Sequence, residues 1–223
     1  MRNAALIDIC GTLFYSNTTF DFLDYYIKNP KYIRLRKRMD NKLLLVINNI
    51  IYRLFHYDYF RLRAVNYLKG MRKEVIEQMA DEFYQSYLLE RKNTKVWQII
   101  SDLQKKNTPI VLISGTISPI AEKIAEYINC TEISSPLEYN EDICTGKIKK
   151  DNLRNKIKAL NKRNIFPPYS IVITDNIADH KLFYYSEQGI AICYNNKKRW
   201  IFSLKNCNSG ITYYEEQNNT FRR

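Results

Sequence analysis

Ala4-Ala5-Leu6-Ile7-Asp8-Ile9-Cys10-Gly11-Thr12 is the stretch on which the fold turns: an apolar run that meets an aspartate and then breaks at a glycine. Consecutive apolar residues indicate a strand of a parallel sheet, covered on both faces. Residues 109–113 repeat the pattern and run into Ser114-Gly115-Thr116, and residues 170–174 run into Asp175. Residues 190–192 read as a fourth strand. Helical patterns separate these runs. Ser118 is placed to cap a helix with Pro119 at its first position, ending near residue 129, and residues 96–105 and 155–162 are amphipathic. Strands alternating with helices predict an α/β fold, a doubly wound parallel sheet. Ligands of such sheets sit beyond the carboxyl ends of the strands. Asp8, Ser114 and Asp175 each fall where a strand is expected to end.

Between residues 14 and 93 the pattern changes. Amphipathic stretches at 20–28, 43–63 and 73–89 predict a helical lobe inserted after the first strand and lying over the crevice. The expected division is a core of residues 1–13 and 94–223 with a helical cap of residues 14–93. The chain has 223 residues, 45% hydrophobic and 26% charged, which excludes a disordered or fibrous protein. Its 35 Lys and Arg against 23 Asp and Glu leave a charge of +12, which favours an anionic partner. Part of that charge is the run at residues 31–38. The apolar stretch at 43–55 is interrupted by Asn48, Asn49 and Arg53 and is too short to span a bilayer, which takes about 18 apolar residues. Five cysteines without a CxxC pair, and no secretory leader, point to reduced thiols and a cytoplasmic chain.

A carboxylate, a hydroxyl and a second carboxylate delivered by three strand ends suggest a site for phosphoryl transfer. A carboxylate attacking phosphorus gives an aspartyl-phosphate. The attack needs a divalent cation between two anions. Mg²⁺ suits this, because it takes oxygen ligands, commonly one or two carboxylates with phosphate and water. It also needs hydrogen-bond donors around the transferred oxygens.

Asp8-Ile9-Cys10-Gly11-Thr12, Ile113-Ser114-Gly115-Thr116, a downstream lysine and Thr174-Asp175-Asn176-Ile177-Ala178-Asp179 resemble, in order, the four motifs of the haloacid dehalogenase (HAD) superfamily. The helical insertion, Tyr67-Leu68-Lys69-Gly70 and an expected turn at Thr145-Gly146-Lys147 are similar to its phosphoserine phosphatase-like branch. The resemblance implies a HAD-like core with an inserted cap, acting on a small phosphorylated substrate with Mg²⁺. It makes Asp8 the nucleophile. Ser114, with Gly115 beside it, and Lys156 become phosphate-binding. Lys158 and Lys150 compete for the lysine's place. Asp8, the main-chain carbonyl of Cys10, Asp175 and Asp179 are implied around the metal, Asp179 orienting metal, water or lysine. A helical i, i+4 spacing would keep Asp175 and Asp179 on one side of the crevice.

One departure stands out. The family's hydrolases usually carry a second aspartate two residues after the nucleophile, as acid and base, and here that position is Cys10. A neutral thiol is a poor base, and general acid–base help is worth about 10²- to 10⁴-fold. Slow turnover, a persisting aspartyl-phosphate or no turnover is expected. Thr174, where glycine is usual, is a milder departure. The alternatives are an inactive HAD-like protein that binds a phosphorylated ligand or partner, and a membrane-lipid phosphatase whose basic lobe makes peripheral contact with a bilayer. No nucleic-acid module is present. His56 and His180 have no partner at metal spacing.

Overall fold

Burial on both faces explains why the opening run is apolar at every position: it forms β1 (Ala5–Ile7), fully buried in the computed structural model, which describes residues 1–55, 57–152 and 156–216. Five helices follow: α1 (Thr18–Tyr26), α2 (Pro30–Arg38), α3 (Lys42–Phe55), α4 (Tyr59–Val65) and α5 (Lys73–Phe83). The chain continues through α6 (Thr94–Lys105), β2 (Ile110–Ile117), α7 (Ser118–Ile128) and β3 (Thr131–Ser135). A hairpin of β4 (Leu137–Asn140) and β5 (Ile143–Ile148) comes next. Then come α8 (Lys156–Lys162), β6 (Tyr169–Thr174), α9 (His180–Phe183), β7 (Ser186–Cys193), α10 (Lys197–Ser203) and β8 (Gly210–Glu215). His56 and the expected helix start at Asn155 lie outside the described residues.

Six strands form one parallel sheet in the order β3-β2-β1-β6-β7-β8, and β4 and β5 form a separate antiparallel pair. The expected doubly wound α/β sheet is the observed one. Ala5 pairs with Ile110 on one side and Ile171 on the other, so β1 is central and the chain leaves it in both directions. Ala5 and Ile7 pack into one apolar cluster, with α7 and the inserted helices; Ala4 and Leu6 pack into another, with Leu160, Phe183 and Trp200. The crevice at the carboxyl end of β1 is where such a sheet binds its ligand.

Several local expectations are corrected. β2 does not end before Ser114 but runs on to Ile117, with its register against β3 shifting between Ile113 and Ile117. Ser118 is not a cap; Ile117 holds the N-cap position without a side-chain hydrogen bond, and proline opens the helix as expected. The stretch 43–63 is two helices, because the Asp58 side chain accepts the Arg61 N–H at 3.2 Å and starts α4 afresh. Thr145-Gly146-Lys147 lies in β5, and the turn is at Glu141 and Asp142, both with positive φ. No helix joins Asp175 to Asp179. Asp175 follows β6 directly, and a 3₁₀ turn (Ile177–Asp179), capped by Asn176, brings Asp179 round.

Candidate active site

Asp8 leaves β1 at the sheet centre, its own N–H donating to the Ile173 carbonyl at 2.9 Å. That bond fixes the backbone, and the side chain is fixed separately. Asp8 Oδ1 accepts the Ile9 N–H at 2.7 Å, and Oδ2 accepts Lys156 Nζ at 2.8 Å. Lys156 Nζ also donates to Asp179 Oδ2 at 2.5 Å, and Thr174 Oγ1 donates to the same oxygen at 2.9 Å. Lys156, Asp8 and Asp179 are all buried. Burial pushes the Asp179 carboxyl up to about 6, against the downward pull of Lys156. Burial alone would lower the Lys156 ammonium, but Asp179 and Asp8 outweigh it and raise it. Lys158 is exposed and Lys150 half-buried, and neither has an ion pair among the described residues.

Asp8, Cys10, Ser114, Gly115 and Asp175 line one cavity of about 350 Å³, whereas Lys156 and Asp179 are not among its lining residues. Asp175 is tied to the loop after β1: Thr12 Oγ1 donates to its Oδ1 at 3.2 Å and accepts its backbone N–H at 2.8 Å. Cys10 Sγ lies 2.8 Å from Thr18 Oγ1 and 3.1 Å from Thr116 Oγ1, and Ser114 Oγ lies 3.1 Å from Thr116 Oγ1. These hydroxyls join the inserted helices to the sheet. Burial, followed by the nearby Asp8 carboxylate, pushes the Cys10 thiol up.

The profile of the haloacid dehalogenase-like hydrolases matches residues 5–183. The chain belongs to this family. No curated protein matches its sequence. Among solved structures, this chain is similar to a probable phosphoserine phosphatase from Vibrio cholerae, at a TM-score of 0.58 and 10% identity over 90% of its own length; it spans only 59% of that chain. A protein of unknown function from Bordetella pertussis Tohama I gives a TM-score of 0.69 at 16% identity, covering 94% of this chain and 97% of the other. A phospho-aspartyl intermediate analogue of phosphoserine phosphatase gives 0.58 at 14% identity, covering 97% and 95%. At these identities the likeness is one of fold.

The donor chemistry of the cavity fits Mg²⁺. Among the described residues no three His, Cys, Asp or Glu side chains form a ready metal cage. Zinc would want such a cage; magnesium keeps waters and takes one or two carboxylates with the substrate's phosphate. Asp8 and Asp175 offer two carboxylates on one cavity. Asp179 is placed otherwise, its Oδ2 shared by Lys156 and Thr174.

Three groups at the site carry no mark of their own in the sequence. Arg61 from α4 is buried, pairs with Asp151 at 2.8 Å and donates to the Gly115 carbonyl, so the inserted helices reach the Ser114-Gly115 stretch of β2. Thr18 and Thr116 surround Cys10. Arg199 of α10 and Asn196 just before that helix also line the cavity. Thr116 stands in a quoted motif and Thr12 in another. Nothing local marks Arg61, whose partners are remote in sequence.

Proposed function

We propose that this HAD-like hydrolase is a Mg²⁺-dependent phosphatase or phosphotransferase that acts on a small phosphomonoester through an aspartyl-phosphate on Asp8. The observation carrying this is the Asp8 carboxylate, open to a cavity on one side and gripped by Lys156 and the Ile9 amide on the other. Magnesium bound to Asp8, Asp175 and the Cys10 carbonyl would offset the charge between carboxylate and phosphate. Attack by an Asp8 oxygen breaks the bond from phosphorus to the leaving oxygen, which takes a proton from water. Ser114 Oγ and the Gly115 amide supply donors to the phosphoryl oxygens. Water then cleaves the acyl phosphate, releasing inorganic phosphate and restoring the carboxylate. Lys156 holds Asp8 in position, and Asp179 and Thr174 hold Lys156. Residues 14–93 serve as the cap that limits access and selects the substrate, with Arg61, Asn196 and Arg199 beside its non-phosphate portion. Five free thiols suit a cytoplasmic setting.

Cys10 sets the rate. Its raised thiol gives water no base, so the second step is slow. The same observation favours one rival, an inactive member that holds a phosphorylated ligand or partner. The test uses p-nitrophenyl phosphate and a panel of phosphorylated metabolites with Mg²⁺, with intact-mass detection of phosphoenzyme. Wild type is expected to turn over slowly or to gain one phosphoryl group, and Asp8→Asn to do neither. Cys10→Asp, its carboxylate received by Thr18 and Thr116, is expected to turn over about 10²-fold faster or more. Absence of turnover and of phosphoenzyme in both wild type and Cys10→Asp across the panel would establish the binding reading.

A further inference from the structure

The inserted helices carry a surface that the catalytic reading does not use. α2 opens with Pro30 at its first position and the Asn29 side chain accepting the Lys31 N–H at 2.8 Å, and its basic residues follow at helical spacing. Residues 28–42 hold seven Lys and Arg and a single carboxylate, Asp40, a net charge of 7 − 1 = +6, half of the +12 of the whole chain. Four cations, Lys31, Arg34, Arg38 and Arg63, line one cavity of about 330 Å³ together with Tyr59 and Tyr67, and no carboxylate lines it. None of the four forms an ion pair among the described residues. Concentrating like charge without a counter-charge costs the fold self-repulsion, which an anionic partner relieves.

α3 begins four residues after Arg38, the last residue of α2, and both helices pack on α4. One face of α3 is spent on the fold, with Leu44 and Leu45 against the main apolar cluster. The opposite face is also apolar and faces solvent: Leu43, Ile47, Ile50 and Leu54 are 67%, 43%, 51% and 67% exposed. Their spacing of four, three and four residues makes one stripe about 17 Å long. A helix apolar on both faces is normally buried on both. Among the described residues nothing covers this second face.

We infer that the α2–α3 face docks on an anionic bilayer, the cations of α2 and α4 taking lipid headgroups and the α3 stripe entering the interface. Among the described residues no helix is long and apolar enough to cross a membrane, so the contact is peripheral. Charge complementarity selects this occupant. A second copy seated on α3 would bring two +6 segments together, and a nucleic acid would leave the apolar stripe uncovered. The inference stands apart from the chemistry at Asp8.

Co-sedimentation of the full chain with phosphatidylcholine vesicles, with and without phosphatidylglycerol, tests it. Binding is expected only to the anionic vesicles and to weaken with salt. Arg34→Gln with Arg38→Gln is expected to lower the partition coefficient roughly 25-fold, at about fivefold per cation. Both residues are exposed, and circular dichroism checks that the variant is folded. Leu54→Trp reports the stripe directly: its emission should shift to the blue and be quenched by brominated lipid on anionic vesicles alone. Equal binding to neutral vesicles, no binding to either, full binding by the Arg34/Arg38 variant, or an unshifted Leu54→Trp would overturn the inference. So would a reversible dimer in sedimentation equilibrium that Ile47→Ser with Ile50→Ser abolishes, since that would make the stripe an interface between copies.

Discussion

Among the described residues Lys156 is the one cation that two buried carboxylates share, and this gives it a structural role. Its Nζ lies 2.8 Å from Asp8 and 2.5 Å from Asp179, with all three side chains 6% exposed or less. Removing one member of such a group leaves charge buried without compensation, at a cost of about 3–5 kcal/mol. Lys156→Met is therefore expected to lower unfolding stability in urea by that amount, and to remove any turnover as well. Lys158→Met, at an exposed side chain two residues on, should change stability by no more than about 0.5 kcal/mol. Equal effects would show that the buried group does not hold the fold. The residue scale also marks a limit of the sequence. There only the spacing to Leu160 favours Lys156 over its competitor Lys158; what separates them firmly is which face of α8 meets Asp8, a fact of packing.

At the scale of elements, legibility followed burial. β1, β2, β6 and β7 lie inside the sheet, have covered faces and read as apolar runs. β3 and β8 are the two edges, and their exposed or half-exposed residues, such as Thr131, Glu132, Tyr213 and Tyr214, dilute the pattern below recognition. The β4–β5 hairpin was hidden for another reason: Gly146 reads as a turn residue but sits in a strand. Its φ of +76° and its neighbours explain the glycine, since a Cβ there would lie 2.8 Å from Lys69 Cβ and 3.0 Å from the Asn66 carbonyl. The hairpin and residues 66–73 are laced together, Gly70 N–H donating to the Cys144 carbonyl and Cys144 N–H to the Met71 carbonyl, both at 2.8 Å. The two motif stretches Tyr67-Leu68-Lys69-Gly70 and Thr145-Gly146-Lys147 thus form a single joint between the inserted helices and the sheet side of the chain. Gly146→Ala strains that joint through both φ and contact, and a loss of about 1–3 kcal/mol is expected in urea unfolding. An unchanged midpoint would mean that the joint yields without cost.

The whole molecule brings the site together from remote parts: Asp8 after β1, Ser114 in β2, Asp175 after β6, Lys156 in α8 and Arg61 in the inserted helices. The strand-borne members were legible because a parallel sheet delivers its strand ends to one edge. Arg61 was not, because no rule of spacing ties α4 to the Gly115 carbonyl it meets. An assembly of this kind is stabilised by whatever occupies its centre, since a ligand that binds only the folded chain adds its binding free energy to folding. Magnesium with beryllium fluoride, which mimics a phosphoryl group on a carboxylate, should therefore raise the Tm, whereas either alone should do little. At a hundredfold excess over the Kd the gain is about 2.7 kcal/mol, or roughly 5–11 °C for a chain of this size. Asp8→Asn should abolish the shift because the acceptor oxygen is lost, and EDTA should reverse it. Lys158→Met should keep the shift, because that side chain lies outside the cavity. A shift of the same size in Asp8→Asn would place the ligand elsewhere and remove Asp8 from the phosphoryl site, while leaving the fold, the family and the α2–α3 surface untouched.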